Sequence, residues 1–288
     1  MPPKRLFLAT LLTLTFALFT LFEKATMADH DQPTPTPGTG WQLVWHDEFD
    51  GDTLNPDYWN TVIIDMPGAA GPRHHNDQYA QYIMDDDVLV EDGLLRLRAQ
   101  KRTIRGTEPP GTFDYTAGWV STRNKFDLLY GYVEIRAKFP AGQGMWPAFW
   151  MLSTDGVWGP EWDVAEFFGN QSRMHMGLMY TEWPEVQWDS GNFISDTWTQ
   201  DWHTYALEWL PGEAKFIVDG EVYRTITADY VPAEAMYIIL QNGVGTNRSA
   251  AGEPDEDTIF PNTFDIDYVR VYPRADAYCD DFALEAGN

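Results

Sequence analysis

The segment Gly159–Phe168 reads GPEWDVAEFF and sets three carboxylates, Glu161, Asp163 and Glu166, inside an otherwise apolar run. Short apolar runs form buried strands, where an acid without a partner is costly. Side chains alternate along a strand, so Glu161 and Asp163 share a face and Glu166 falls on the other. One extra residue in the Val164–Ala165 region, a β-bulge, returns Glu166 to the face of the first two. Like charges in one row repel and raise one another's proton affinity. That is a liability for a purely structural strand, but it suits acid–base work at a glycosidic bond. Retaining hydrolysis needs a carboxylate nucleophile and a carboxylic acid about 5–5.5 Å apart. On this geometry Glu161 is the candidate nucleophile, Glu166 the proton donor and later the base, and Asp163 shares a hydrogen bond with Glu161 and tunes both. A calcium-binding edge and a solvated charge stripe are the structural alternatives for the same three acids.

Aromatic residues crowd this segment. Trp146, Trp150, Trp158 and Trp162 surround it, and Trp183, Trp188, Trp198 and Trp202 follow. Tryptophan in a β-protein usually packs the core. So many indoles near polar groups and Gly- and Pro-rich loops also predict flat platforms for the C–H faces of sugar rings. Arg73-His74-His75-Asn76 sits in a Gly- and Pro-flanked loop and is a candidate substrate-contact loop. A paired-histidine metal site there lacks a third ligand.

The elements that must position these groups are strands. Alternation or turn punctuation marks Leu94–Arg98 after the Asp92-Gly93 turn, Gly131–Phe139, and Tyr205–Trp209 joined to Lys215–Val218 by Pro211-Gly212. Asp219-Gly220 leads into Glu221–Thr225, and Met236–Gln241 and Phe264–Tyr272 complete the series. No stretch sustains a helical period and no internal repeat is present. The predicted fold class is all-β, an antiparallel β-sandwich.

Residues 1–28 read as a secretory signal: Lys4 and Arg5 precede the apolar run Leu6–Phe22, and Thr26-Met27-Ala28 fits a cleavage site. Residues 29–40 form a Pro/Thr/Gly-rich linker, residues 41–273 the catalytic domain, and residues 274–288 an acidic tail. The formal charge is −25. Residues 1–28 hold Lys4, Arg5 and Lys24 against Glu23, so the exported chain is near −27. Such a surface repels nucleic acid and anionic lipid, and disfavours a heavily sulfated polymer unless local Arg or Lys compensates. Arg73, Arg123 and Arg173 are the cations expected near the site. The single cysteine, Cys279, excludes an intrachain disulfide.

The motif E-W-D-V-A-E, preceded by G-M-W-P-A-F-W-M-L, resembles glycoside hydrolase family sixteen in its bulged E-x-D-x-x-E branch, which includes the laminarinases. Leu43–Asp50, Trp59-Asn60, Tyr130–Gly142, Trp202–Trp209 with Val218–Gly220, and Asp267–Tyr272 resemble further family segments in the same order. The resemblance implies a concanavalin-like jelly roll with an open substrate cleft on its concave face. It implies Glu161 as nucleophile, Glu166 as acid/base and Asp163 as assistant. It places Trp146 and Trp150 in the cleft with His175 beside the acids, and Asn60 and Gln241 as cleft-lining polar residues; Trp158 joins them as a candidate platform. It also implies a structural calcium held by Glu48, the Gly93 carbonyl and Asp267, oxygen donors as a hard cation requires, and no cofactor for catalysis. Two departures stand out. Trp162 replaces a medium aliphatic residue between the first two acids, and Gln241-Asn242-Gly243 stands where laminarinases read Asn-Leu-Ala. The expected function is a secreted, monomeric, retaining endo-hydrolase of internal β-1,3 bonds in laminarin-type β-glucan. Its partner is polysaccharide, with no nucleic acid and, after signal cleavage, no membrane. Mixed-linkage β-1,3-1,4-glucan and algal galactans (agar, porphyran, carrageenan) are the alternative substrates. A carbohydrate-binding lectin is the non-enzyme alternative, and it would be expected to lose one or both glutamates.

Overall fold

A computed structural model describes residues 40–64, 73–169 and 172–273. The predicted signal, most of the linker, the acidic tail and Cys279 lie outside the described residues. Almost every described element is a strand; the exception is a 3-10 turn at Asp85–Asp87.

Two sheets face each other. The larger runs, from one edge, through Glu221–Thr227, Glu213–Val218, His203–Leu210, Gly131–Lys138, Asn262–Tyr272, Leu94–Gln100, Tyr115–Ala117, Gln81–Ile83 and Arg73–His74. The smaller runs Trp188–Ile194, Arg173–Met179, Glu161–Phe167, Met145–Ser153, Met236–Val244, Trp119–Ser121. The strands expected from alternation are present with their turns. Asp92-Gly93 and Asp219-Gly220 both take left-handed backbone at the two turn positions, φ 56° and 74°, then 51° and 80°, as a tight hairpin requires. One pairing departs from the antiparallel expectation: Gln81–Ile83 runs parallel to Tyr115–Ala117.

The main core fills the space between the sheets. Phe139, Phe149, Phe167, Trp209, Phe216 and Phe264 are all buried there. Trp162 also points into it, edge-on to Trp209 at 5.9 Å and to Phe216 at 5.8 Å. The bulky residue between the first two acids is therefore packing under the site rather than part of it. Asn242 ties the sheets together, its amide donating to the carbonyls of Leu97 and Asn262. Strand parity then turns its neighbour Gln241 the opposite way, toward the outer face of the smaller sheet.

Candidate active site

The Glu161–Phe167 strand is the third of six in its sheet, with a ladder on each side. Against Met145–Ser153, Trp150 pairs with Asp163, Phe149 with Ala165 and Ala148 with Glu166, so Val164 has no counterpart. Against Arg173–Met179, Asp163 pairs with Gly177 and Glu166 with His175, leaving Val164 and Ala165 together opposite Met176. This is a β-bulge at the position the parity argument requires. Val164 and Ala165 both enter the core, and Glu161, Asp163 and Glu166 all line one cavity of about 920 Å³.

The acids are deeply set, at 7 %, 3 % and 7 % relative exposure in chain order. Each glutamate receives one indole N–H. Trp158 Nε1 donates to Glu161 Oε2 at 2.6 Å, and Trp146 Nε1 donates to Glu166 Oε1 at 2.5 Å. The Asp163 and Glu161 carboxyls share a hydrogen bond. His175 Nε2 stands 3.9 Å from Asp163 Oδ2, beyond hydrogen-bond reach. Burial raises all three acids. Glu161 rises to about 7, held back by the donors Trp158 and Asp163. Glu166 rises to about 8, held back by Trp146 but pushed up by the Glu161 charge. Asp163 is raised by burial and by both glutamates. The hydrogen bonds from Trp158 and Asp163 favour the anion of Glu161, and a neutral Asp163 supplies the proton in the hydrogen bond between the two carboxyls. With Oε1 of Glu166 accepting from Trp146, its other oxygen is left to carry the acid proton.

This arrangement costs stability in a defined pH window. A carboxyl whose pKa is raised on folding binds more protons folded than unfolded. Its stabilising contribution is therefore full below the unfolded value near 4.5 and is lost as pH rises through the folded value. For Glu166 the window runs from 4.5 to about 8. Glu166→Gln removes the titration, so its Tm relative to wild type should rise progressively from pH 5 to pH 8.5. Calorimetry across that range checks this, and a constant difference would contradict it.

The remaining expectations divide. Trp150, Trp158, His175 and Gln241 line the cavity with Trp146. The loop His75–Tyr79 also reaches it, through His75, Asn76, Gln78 and Tyr79. Tyr79, not singled out in the sequence, stacks on Trp146 with centroids 4.4 Å apart and accepts the Gln241 amide at 2.9 Å. Gly243 makes this possible, because a Cβ there would meet the Tyr79 ring at 2.9 Å. On the opposite side Trp158 stacks on Trp183 at 5.6 Å; Trp183 and Trp188 line the cavity too. Asn60 is a correction. It is not among the cavity-lining residues, and its amide donates to the carbonyls of Ser121 and Arg123, pinning the edge of the sheet.

The calcium expectation meets a mixed result. Trp45–Asp47 pairs with Val269–Val271 and Leu94–Gln100 with Asn262–Ile266, so Glu48 and Gly93 both adjoin Asp267. Yet Glu48 gives both oxygens to Arg270, at 2.9 and 2.8 Å, and Asp267 Oδ2 accepts from Arg136 at 2.5 Å. Guanidinium groups already neutralise these acids, so the set does not fit a hard cation as it stands. Asp163, Glu166 and His175 have donor atoms within 4.8 Å of one another, but that cluster is the acid site itself.

The chain matches the family model described as glycosyl hydrolases family 16 over residues 75–269. It is 32% identical over 268 residues to a glucan endo-1,3-beta-glucosidase A1 of Niallia circulans, covering 83% of this chain and 39% of that protein. It is 29% identical over 254 residues to a beta-glucanase of Rhodothermus marinus, covering 81% of this chain and 85% of the relative. Among solved structures, the catalytic domain of an endo-1,3-beta-glucanase (laminarinase) from Thermotoga petrophila RKU-1 superposes with a TM-score of 0.70 at 31% identity, covering 82% of this chain and 98% of that one.

Proposed function

The chain belongs to the glycosyl hydrolases family 16, and from that premise we propose that it is a secreted endo-hydrolase cleaving internal β-1,3 bonds of laminarin-type glucan with retention of configuration. The observation that carries the reading is the bulge at Val164–Ala165, which brings Glu161 and Glu166 to one face with Asp163 between them. In the first step Glu161 attacks the anomeric carbon, the bond to the leaving oxygen breaks, and that oxygen takes the proton of Glu166. Trp158 and Asp163 hold the nucleophile ready by hydrogen bonds to its anionic form. The glycosyl ester carries no charge on Glu161. The repulsion from the Glu161 charge, which adds to burial in raising Glu166, then disappears, so Glu166 holds its charge more readily and takes a proton from water as the water attacks the anomeric carbon and Glu161 leaves. The stacked indoles Trp158 and Trp183 offer apolar faces to the sugar rings.

The glucan assignment is supported by the relatives' names and by charge. Of Arg73, Arg123 and Arg173, Arg123 lines the cavity, and it already donates to the Tyr237 hydroxyl at 3.1 Å. Sulfate recognition would need more cation than this. Secretion rests on the run Leu6–Phe22 behind Lys4 and Arg5, and calcium plays no part in the chemistry. Digestion of laminarin, mixed-linkage glucan, agarose and carrageenan, with product sizing and NMR of the first-formed anomer, tests the reading. Oligosaccharides from laminarin appearing first as the β-anomer are expected. Release from a galactan alone, or an α-anomer first, would overturn it.

A further inference from the structure

The strand Trp188–Ile194 ends the smaller sheet and has a ladder on one side, to Arg173–Met179. Alternation gives it two faces. Trp188 and Ser190 line the cavity, and Asn192 on the same face hydrogen-bonds His175, its partner across the ladder. Asp189, Gly191 and Phe193 face the other way and are half-buried. On that side the larger sheet takes hold of the strand. Asp189 Oδ1 accepts from Arg224 Nη2, and Asp189 Oδ2 accepts from the Tyr230 hydroxyl at 2.8 Å. The Tyr230 ring stacks on Tyr180 with centroids 4.2 Å apart. Tyr180 and Gln187 close the turn before the strand by a backbone hydrogen bond of 3.1 Å. That turn carries Trp183, which lines the cavity and whose backbone N–H donates to the Trp158 carbonyl at 2.9 Å.

The sequence makes local sacrifices for this contact. Arg224 lies in Glu221–Thr227, the edge strand of the larger sheet. Val222 pairs with Ile217 and Arg224 with Phe216, so Tyr223 is an extra residue and the strand is bulged. Val222 therefore lies outside with Ile217, whereas Arg224 takes the inner face with Phe216 and points at the other sheet. Gly191 leaves it room, because a Cβ there would crowd Arg224 Nη1 at 3.1 Å. A glycine weakens a strand interior and a bulge interrupts a ladder. Arg224 Nε is buried with no hydrogen-bond partner among the described residues, which is a further cost. A partly exposed ion pair adds little stability in return, so what the contact supplies is position.

We propose that Asp189, Arg224 and Tyr230 are positioning residues: together they clamp the free edge of the smaller sheet to the larger one and so hold Trp188 and the turn bearing Trp183 as a fixed wall for the glycan. None of the three is among the cavity-lining residues; they act through the strand and the turn. The carboxylate of Asp189 is suited to the task because it offers two oxygens, one to each sheet-side donor, and a guanidinium gives a directed hydrogen bond rather than a loose charge contact. The inference rests on the proposed function only in taking this cavity as the glycan site.

The test combines kinetics on laminarin with hydrogen exchange of the substrate-free chain. Arg224→Met keeps the apolar stem and removes the guanidinium. It should raise KM roughly tenfold while kcat stays within about threefold, because the acids stand two strands further in, and Arg224→Lys should recover part of the loss. Tyr230→Phe keeps the ring on Tyr180 and removes the hydroxyl, and should shift KM the same way by less. Exchange read by mass spectrometry should quicken across residues 180–194 in Arg224→Met and change little in Glu161–Phe167. If Arg224→Met does not fold, Asp189→Asn combined with Tyr230→Phe carries the same expectation. A lower Tm with KM and the exchange of 180–194 unchanged would show that the pair merely staples the sheets, and would overturn the inference. Equal losses in kcat and kcat/KM would overturn it too. If laminarin is left intact but another polysaccharide is cleaved, with the same dependence of KM on Arg224, the glucan reading falls and the clamp stands. If no polysaccharide is cleaved, the proposed function falls, and the exchange of 180–194 decides the clamp by itself.

Discussion

Replacing Glu161 with glutamine is expected to lower kcat on β-glucan on the order of 10,000-fold or more while leaving the fold and sugar binding in place. The substitution is nearly isosteric, and the glutamine oxygen can still accept from Trp158 Nε1. What disappears is the electron pair that forms the bond to the anomeric carbon. Folding should not suffer, because burial raises Glu161 to about 7 and the native site therefore disfavours its charge. Glu161→Ala extends the test. Added azide should enter from the face the nucleophile occupied and yield an α-glycosyl azide, with partial recovery of leaving-group release. Wild-type turnover in Glu161→Gln would end the assignment of the nucleophile, and rescue giving a β-azide would end the double-displacement mechanism.

Replacing Glu166 with alanine should lower kcat on polysaccharide on the order of 100- to 10,000-fold, because the leaving oxygen loses its proton donor. Deleting Ala165 should be far milder. With one residue fewer the acids read E-x-D-x-E, and simple alternation alone puts Glu161, Asp163 and Glu166 on one face, with Val164 and Phe167 still directed between the sheets. What is lost is the two-for-one pairing opposite Met176 and one small side chain from the core. Tm should fall, while kcat should stay well above that of Glu166→Ala. The control is Ala165→Gly, which keeps the residue count and the bulge, and should retain activity within about tenfold. A deletion variant that folds yet is as inactive as Glu166→Ala would contradict the parity argument, and near-normal hydrolysis by Glu166→Ala would mean that the proton donor is another group.

Much of this site was legible before any coordinates because it depends on parity. Strand alternation and the spacing of Glu161, Asp163 and Glu166 imply an extra residue near Val164–Ala165, and the cross-strand register contains it. The same logic separates Gln241 from Asn242. What escaped was decided at longer range. The indole donors to Glu161 and Glu166 depend on side-chain rotamers of Trp158 and Trp146, which no periodicity encodes. Tyr79 reaches Trp146 because Gly243, far away in the chain, leaves it room. Asn60 looked like a cleft residue, but nearby carbonyls of Ser121 and Arg123 claim its amide. The strand Trp188–Ile194 (WDSGNFI) was passed over because half of its alternation is polar or glycine, as befits a sheet edge with exposed positions. The parallel pair Gln81–Ile83 with Tyr115–Ala117 joins short segments more than thirty residues apart, and neither has a pattern of its own.

Glu161, Asp163 and Glu166 all ride on Glu161–Phe167, an interior strand laced to neighbours along both sides. No hinge or subunit boundary can slide one of them away from the others. Heating should therefore leave catalytic competence intact until the sandwich melts as a unit, so that residual-activity and unfolding curves superimpose, whereas a site assembled from separate loops would fall silent well before its scaffold gave way.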